Sequence, residues 1–403
     1  MDSTKQLYQL RKVSDPMINP HSYRDTWADI SLDALSHNVH TFKSHTNPAC
    51  RLMAVVKADG YGHGAVEVAQ TAIDAGADWL GVAFVDEGIE LRKAGIHKPI
   101  LLLGYTPPRS IEAAVIHDLT ITIFTHDILN QVEASAKRMN KTPKVHIKIN
   151  TGMNRIGVST STEAIQLAEA IHQSTLVDLE GIFTHFAEAD NEDPTYTYMQ
   201  FDQFQSIVHD IEEKGIDIPI KHCANSATTI AHRKMHLNMV RVGVSLYGFY
   251  PSPHLKEWID LTPVMTLKTK VAAVNKLEAG TPVSYGRTFK TERPSSVATL
   301  PIGYADGLSR LLSNQGTMSI HRHVVPIVGS ICMDQTMIDV TGIGKVSPDD
   351  EVTVFGDGNK SVPTADEMAA LTGTIHYEIT CSIGKRVPRI YQAAQVKVRY
   401  NML

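Results

Sequence analysis

The sequence predicts an α/β protein with an N-terminal (β/α)8 TIM barrel and a C-terminal, mostly-β domain. Eight apolar strand candidates, with helical stretches between them, span residues 52–246. Strands that alternate with helices pair in parallel through right-handed crossovers, and eight such strands close a barrel. Near Pro263 the pattern changes, and short strand-like runs are then separated by Gly, Pro and Asp turns.

These patterns divide the chain into a leader at residues 1–25, a barrel at residues 26–262 and a β-rich domain at residues 263–403. The first barrel helix is expected to start near Leu32. The barrel strands are predicted at residues 52–57, 79–84, 100–104, 120–124, 145–150, 179–185, 220–224 and 239–246. Helices are predicted between them, among others at residues 66–75, 86–94, 127–139, 162–172 and 198–214. An open, doubly wound sheet is the structural alternative, and it would bind a ligand at one switch point.

The C-terminal domain is of ordinary size for a domain. Its strands are predicted at residues 265–277, 296–302, 317–328, 333–340 and 351–355, with one helix at residues 364–371.

Composition excludes several classes of function. The 403 residues carry a formal charge of −5, so the chain has no general attraction for nucleic acid or acidic membranes. We find no apolar run long enough to span a bilayer and no signal-peptide core, which makes the cytoplasm the expected location. The 4 cysteines form no C-x-x-C pair, and the histidines show no metal-ligand spacing, His321 and His323 being expected on a surface strand. No metal is therefore expected.

Lys57 ends the first apolar strand and enters a turn that contains Gly60, Gly62 and Gly64. Such a lysine either keeps its ammonium in water or is desolvated. A desolvated lysine has a lowered pKa, and its free amine forms a Schiff base with an aldehyde such as pyridoxal 5'-phosphate. Glycines permit the close backbone approach that a bulky cofactor needs, and Tyr61 offers a hydroxyl nearby.

Other reactive side chains also fall at the carboxyl ends of barrel strands, where barrel enzymes place their chemistry. They are Lys148, Arg155, His185, Ser226 and Arg241. Taken singly, each has an ordinary structural explanation, such as an ion pair, a hydrogen-bonded core histidine or a helix cap. Their common placement on one face of the barrel is what favours a functional site. A short helix that starts at Ser226 would present amides and a hydroxyl to a phosphate.

Six stretches of the sequence are distinctive: VKADGYGHG at residues 56–64, TGMNRIG at 151–157, THF at 184–186, VSYGR at 283–287, IGYADG at 302–307 and ICMDQ at 331–335. Together they strongly resemble bacterial alanine racemases. The likeness runs from about Trp27 to Tyr391. It implies a pyridoxal-phosphate barrel, a β-rich C-terminal domain and a head-to-tail homodimer whose sites contain residues of both chains. The implied activity is the interconversion of L- and D-alanine, which supplies D-alanine for peptidoglycan.

The resemblance also implies a role for individual residues. Lys57 would bind the cofactor as an aldimine and serve as one base, and Tyr285 of the partner subunit would serve as the second base. Tyr61, Ser226 and Tyr377, with the amides of Gly243 and Val244, would hold the phosphate. Arg241 would face the pyridine nitrogen, and Arg155 with the Met333 amide would bind the substrate carboxylate. Tyr304 and Tyr377 would form a narrow gate that favours small amino acids, and Lys148 matches a lysine that is carbamylated in several relatives.

These roles suit the chemistry of racemisation. A proton must leave one face of the substrate Cα and return to the other, so each face needs its own acid/base. A free tyrosine is a poor base at neutral pH, and in the family His185 links the tyrosine to Arg241. Arginine donates a hydrogen bond but keeps its proton, so the ring nitrogen stays neutral and transamination is disfavoured.

Two positions depart from the family pattern. Ser330 stands where many relatives have arginine, and Asn150 replaces a common aspartate. We expect the first to change the charge of the access corridor and the second to change the hydrogen bonding around Lys148.

Three other functions are weighed against a racemase. A cofactor-carrying barrel protein without turnover would be single-domain, and a decarboxylase of this barrel type would need a carboxylate where Arg241 stands. A non-catalytic binding module would leave two acid/base groups unexplained.

Overall fold

The structure, a computed structural model, describes residues 22–359, 361–394 and 396–400. The predicted leader at residues 1–25 lies outside the described residues as far as residue 21. The chain forms two compact units: one contains residues up to Ala34 together with those from Pro263 onward, and the other is Leu35–Thr262.

Strand β1 (Thr26–Ser31) and helix α1 (Leu32–His45) open the described chain, and the predicted helix start near Leu32 is confirmed. The helix begins where Ser31 Oγ accepts a hydrogen bond from Ala34 N at 3.1 Å, as N-cap serines do. Asp33 in the first turn and Lys43 in the last complement the helix dipole.

Eight parallel strands build the unit Leu35–Thr262. They are β2 (Arg51–Val55), β3 (Trp79–Val82), β4 (Ile100–Leu102), β5 (Ile121–Ile123), β6 (Lys144–Lys148), β7 (Asp178–Phe183), β8 (Ile220–His222) and β9 (Met239–Val242). They pair as β4-β3-β2-β9 and β5-β6-β7-β8. Leu102 N donates to Thr120 O at 2.9 Å across one seam, and Arg241 N donates to Ala224 O at 3.1 Å across the other. The predicted TIM barrel is thus confirmed, and the open sheet is excluded.

Helices connect these strands. They are α2 (Lys57–Tyr61), α3 (Ala65–Asp74), α4 (Val85–Lys93), α5 (Pro108–Ile116), α6 (His126–Met139), α7 (Ser161–Gln173), α8 (Thr195–Glu212) and α9 (Ser226–Ala231). The barrel interior contains one buried apolar cluster of Met53, Trp79, Leu101, Phe183, Ile220 and Met239, together with buried polar side chains. The barrel is therefore a packed core, and reactive groups reach solvent only at its ends.

The other unit is mostly β, as predicted. Its remaining strands are β10 (Met265–Lys270), β11 (Ala273–Leu277), β12 (Pro282–Val283), β13 (Phe289–Lys290), β14 (Ser295–Leu300), β15 (Thr317–Ile320), β16 (His323–Pro326), β17 (Thr336–Asp339), β18 (Glu351–Phe355), β19 (Arg389–Ala393) and β20 (Val396–Tyr400). Its helices are α10 (Ala365–Thr372) and α11 (His376–Cys381). One sheet has the order β16-β15-β18-β10-β1-β19-β20, another β11-β14-β17, and β12 pairs with β13.

Two strands predicted as continuous are each two strands. The run 265–277 divides into β10 and β11, which belong to different sheets, and the run 317–328 folds back as the hairpin β15–β16. His321 and Arg322 form the turn of that hairpin, with φ of 50° and 65°. His321 therefore lies in a turn rather than in the strand that the sequence predicts.

Strand β1 corrects the predicted start of the barrel at residue 26. It pairs antiparallel with β10 and parallel with β19. The Thr26 and Thr269 hydroxyls also hydrogen-bond at 2.8 Å. Residues 26–34 accordingly group with the β-rich unit, because β1 completes the hydrogen bonding between two of its strands.

The described residues contain no candidate membrane span and no candidate metal cluster. No helix among them combines the length and the apolarity that a bilayer crossing requires. No group of three or more His, Cys, Asp or Glu side chains is placed to hold a metal ion there.

Candidate active site

Lys57 follows the end of β2 at an unusual turn. The strand stops at Val55, two residues earlier than predicted, and residues 58–61 all have φ between 51° and 59°. This left-handed conformation costs about 1–2 kcal/mol for each residue with a Cβ. Such strain persists only where the surroundings hold it, and it is concentrated at functional sites.

Two carboxylates hold this left-handed turn. Asp59 Oδ1 accepts a hydrogen bond from Ala65 N at 2.9 Å, and Glu87 Oε1 accepts one from Ala58 N at 2.7 Å. The turn therefore fixes the backbone that carries Lys57, which is half-buried at the carboxyl end of the barrel.

Three residues predicted to bind phosphate come together beside this turn. Gly243 N donates to Ser226 Oγ at 3.0 Å. A Cβ on Gly243 would lie 2.6 Å from Tyr61 Oη, so only glycine leaves room for that hydroxyl. Val244 follows at the start of a short 3-10 helix, where amides have no intrahelical partner.

This set of donors fits pyridoxal phosphate, the cofactor that the resemblance implies. Hydroxyl and amide groups suit a phosphate, and a lysine amine is the group that binds an aldehyde. The space kept open at Gly243 is where side-chain and backbone donors converge.

Arg241 is buried on β9 and is held by neutral acceptors. Its Nη1 donates to His222 Nδ1 at 3.0 Å. Its Nη2 contacts Thr184 O at 2.9 Å, Cys223 O at 3.1 Å and His185 Nδ1 at 3.2 Å. None of these bonds uses the Nε–H, so that donor is available to a ligand. Burial lowers the pKa of Arg241 to about 10, which still leaves the guanidinium charged at neutral pH.

The contact with Arg241 also fixes the tautomer of His185. Arginine has no acceptor, so His185 Nδ1 must accept and its hydrogen must lie on Nε2. Burial, and then the charges of Arg241 and Lys148, lower the pKa of His185 well below its ordinary value. His185 is therefore a neutral imidazole at neutral pH.

Lys148 ends strand β6 and is buried, at the carboxyl end of the barrel where the sequence places it. It is 4% exposed, and its Nζ lies 4.3 Å from the centre of the Phe183 ring. No carboxylate among the described residues pairs with Lys148, Arg155 or Arg241. Burial, and then the charges of Arg241 and Arg155, lower the pKa of Lys148 well below its ordinary value. The lowered pKa makes the ammonium of Lys148 easier to deprotonate, and the free amine is the nucleophilic form.

Asn150 organises the loop that leads to Arg155. Its Oδ1 accepts from Asn154 N at 2.9 Å and from Gly152 N at 3.2 Å. Its Nδ2 donates to Ser159 Oγ at 3.1 Å. The sequence led us to expect an effect of Asn150 around Lys148, but these bonds go to the loop.

The remaining predicted residues lie in the β-rich unit. Tyr285 is at the tip of the β12–β13 hairpin and is 75% exposed. Tyr304 and Met333 lie on two loops joined by backbone bonds, in which Ala305 N donates to Met333 O at 3.0 Å. Tyr377 lies in α11 and stacks on His376 with ring centres 4.7 Å apart.

Comparison with known proteins decides the family. The family described as "Alanine racemase, N-terminal domain" matches residues 30–251, and that described as "Alanine racemase, C-terminal domain" matches residues 264–391. The chain belongs to the alanine racemase family.

Individual proteins support this membership. Alanine racemase 2 of Oceanobacillus iheyensis is 55% identical over 95% of this chain and 97% of its own length. The solved alanine racemase of Clostridium difficile is 39% identical, with a TM-score of 0.91 over 95% of this chain and all of its own. The solved histidine racemase of Leuconostoc mesenteroides is 28% identical, with a TM-score of 0.85 over 93% of this chain and all of its own.

Membership of the alanine racemase family makes this chain an enzyme of the isomerase class. The racemase predicted from the sequence is thereby confirmed, as are its barrel and its β-rich C-terminal domain.

The sequence analysis did not single out His222. In the structure of this alanine racemase family member, His222 accepts a hydrogen bond from Arg241. A usable signal was present, because His222 ends a buried strand beside the predicted site. Its ring stacks on Phe183 at 4.8 Å with an interplanar angle of 6°. An inward imidazole at that position had to meet another polar group.

Proposed function

We propose that this member of the alanine racemase family interconverts L-alanine and D-alanine with pyridoxal phosphate as its cofactor. The observation that carries the proposal is the convergence of Tyr61, Ser226 and Gly243 beside the strained turn that positions Lys57. The bound cofactor would supply an electron sink for the carbanion at the substrate Cα. Lys57 would hold its aldehyde, and Tyr61, Ser226, Tyr377 and the amides of residues 243–244 its phosphate.

Two proton carriers would then act on opposite faces of the substrate. The Lys57 amine would exchange a proton on one face, and the hydroxyl of Tyr285 would exchange one on the other. We propose a homodimer in which Tyr285 comes from a second copy of the chain. Its 75% exposure supports this, since the phenol is not committed to packing within its own chain.

Three other groups would hold the reactants. Arg241 would donate to the ring nitrogen and keep it unprotonated, because a guanidinium does not release its proton at neutral pH. Arg155 and the Met333 amide would bind the substrate carboxylate. His185, neutral and with its hydrogen on Nε2, would offer that hydrogen to the Tyr285 oxygen.

Substrate size would be set by Tyr304 and Tyr377. A pocket discriminates an added methylene by only about 1–3 kcal/mol, so serine is expected as a slow substrate. Because a histidine racemase shares this fold at 28% identity, the fold alone does not fix the substrate. We also propose a cytoplasmic enzyme whose D-alanine supplies peptidoglycan, on the resemblance to the bacterial enzymes.

The test is incubation of the purified protein and pyridoxal phosphate with L-alanine in D2O. Circular dichroism follows the loss of optical rotation, and mass spectrometry follows deuterium at Cα. We expect both in the wild type, and we expect Lys57→Ala and Tyr285→Phe to slow racemisation by about 10² to 10⁴. L-serine and L-histidine are run in parallel.

Each outcome of this test has a definite meaning. Deuterium uptake without loss of rotation in the wild type would leave only a one-base enzyme. Preference for L-histidine would overturn alanine as the substrate but not the two-base chemistry.

A further inference from the structure

A line of polar side chains crosses the barrel interior from Arg241 toward its opposite end, and two hydrogen bonds and one electrostatic contact join them. Arg241 Nη1 lies 3.0 Å from His222 Nδ1, and His222 Nε2 lies 2.9 Å from His146 Nδ1. His146 Nε2 has no hydrogen-bond partner among the described residues, and it lies 3.5 Å from Glu180 Oε2, the separation of an electrostatic contact. The other oxygen of that carboxylate lies 2.6 Å from Nζ of Lys144, whose side chain is 54% exposed. The line therefore joins the functional end of the barrel to solvent at the far end.

The chemistry of arginine gives this line a single direction. A guanidinium only donates, so His222 must accept at Nδ1 and carry its hydrogen on Nε2. His146 must then accept at Nδ1 and carry its own hydrogen on Nε2, the nitrogen nearer the Glu180 carboxylate. An ionised carboxylate on that side favours the hydrogen at Nε2 by its charge. The donor order Arg241, His222, His146 is the one order in which both hydrogen bonds have a donor and an acceptor.

The charge states suit that order. Burial, and then Arg241, lower the pKa of His222 well below its ordinary value, and burial also lowers the pKa of His146 although Glu180 raises it. Both imidazoles are therefore neutral at neutral pH. Burial raises the pKa of Glu180, but His146 and Lys144 outweigh burial and bring that pKa below its ordinary value.

Strand β7 is shaped to accept this line. A Cβ on Gly181 would lie 2.6 Å from the His146 ring, so only glycine leaves room for the imidazole. The pairing of β6 with β7 shifts register between Val145 and His146, which leaves Glu180 opposite no residue of β6. Such bulges redirect side chains, and this one accompanies a Glu180 that is only 8% exposed.

We propose that His222, His146 and Glu180 are positioning residues that hold Arg241 through two directed hydrogen bonds and the charge of the Glu180 carboxylate beside His146. The role rests on the proposed function, in which Arg241 faces the cofactor ring. Nη2 of Arg241 has three acceptors, whereas Nη1 has His222 alone among the described residues. The carboxylate polarises His146 and then His222, which strengthens the acceptor at Nη1. Without it, Arg241 is held less firmly and protects less well against transamination.

Nuclear magnetic resonance of the ¹⁵N-histidine-labelled full chain, with and without pyridoxal phosphate, tests the line itself. We expect His222 and His146 to carry their hydrogen on Nε2 at a pH of about 7.5. Glu180→Gln keeps the shape of the side chain but removes its charge. In this variant the ¹⁵N chemical shift of His222 Nδ1 should move toward that of a nitrogen that accepts no hydrogen bond. Gly181→Ala, which displaces the His146 ring, should do the same.

Asp118→Asn is the matched control. Asp118 pairs with Lys141 at 2.8 Å on the same unit but is not part of the line, and its φ of 51° suits asparagine. This variant should leave His222 unchanged.

A second readout follows transamination, which moves the amino group of alanine to the cofactor and releases pyruvate. We expect pyruvate formed per racemisation to rise about threefold to tenfold in Glu180→Gln, and not in Asp118→Asn. Hydrogen on His222 Nδ1, an unmoved His222 signal in Glu180→Gln, or an unmoved pyruvate ratio would each overturn the positioning role. The resonance data need no turnover, so failure of the line and failure of the proposed racemisation are told apart.

Discussion

Ser330 donates a hydrogen bond from its hydroxyl to the carbonyl oxygen of Tyr285 at 3.0 Å. Ser284 Oγ in turn donates to Ser330 O at 2.5 Å, and Ser284 has a φ of 67°. Ser330 therefore anchors the backbone of the proposed second base, next to the strained residue Ser284.

Replacing Ser330 by alanine tests that anchor. We expect Ser330→Ala to lower kcat for racemisation about threefold to tenfold and to cost about 1 kcal/mol of stability, the usual effect of losing one hydrogen bond. Ser295→Ala is the control, because this buried serine bonds the Arg293 carbonyl at 2.8 Å away from the Tyr285 loop. Equal losses of kcat in both variants would show that Ser330 has no special relation to Tyr285.

Replacing Arg241 by glutamate tests its proposed effect on the reaction course. The carboxylate would face two imidazoles and two carbonyls that now accept from the guanidinium. Racemisation should fall by about 10² or more, and the product balance should shift toward pyridoxamine phosphate because a carboxylate keeps the ring nitrogen protonated. Chromatography of the cofactor after turnover measures the balance. An unchanged rate and product ratio in Arg241→Glu would refute this role. Arg241→Lys, which keeps the charge, should have a rate and a product ratio between those of the wild type and Arg241→Glu.

Carbamylation of Lys148 is a third prediction. The lowered pKa of Lys148 favours loss of the ammonium proton. The free amine then attacks the carbon of CO2, which forms an N–C bond, breaks one C–O π bond and releases a second proton, so that a buried cation becomes an anion near Arg155. ¹³C-bicarbonate should give a carbamate resonance in the wild type and none in Lys148→Gln. Activity of the wild type should fall several-fold when bicarbonate is removed, and Lys148→Gln should show no such dependence. A wild-type spectrum without that resonance would contradict the prediction.

The buried histidines predict loss of stability in mild acid. His146 and His222 have lowered pKa values in the folded chain, so below their ordinary value of 6.5 the unfolded chain binds more protons than the folded chain. The contribution of these neutral histidines to the free energy of unfolding is present above a pH of about 6.5. It is lost as the pH falls, at up to about 1.4 kcal/mol per pH unit for each histidine. Urea unfolding at pH values of about 7, 6 and 5 measures how the free energy of unfolding changes with pH.

His97 provides the control for the acid prediction, because it is an exposed histidine of the same unit. His97→Gln should leave the slope unchanged, whereas His146→Gln should reduce it. A free energy of unfolding that stays constant between pH values of about 7 and 5 would contradict the prediction.

The sequence by itself determined the order of the barrel strands and the family of the protein. Each of the eight predicted strands overlaps an observed one, because a buried parallel strand is a local apolar run bounded by polar turns. Lys57, Lys148 and Arg241 were placed at strand ends for the same reason, since barrel topology brings those ends to one face.

Only the tertiary structure decided which groups touch. It paired β1 with β10 and β19, gave residues 58–61 a left-handed path, and joined Arg241 to His222 and His146. It also showed that Ser330 bonds to the Tyr285 backbone. Periodicity along a chain reports which side of a strand is buried, whereas a hydrogen bond requires two atoms from distant segments within about 3 Å.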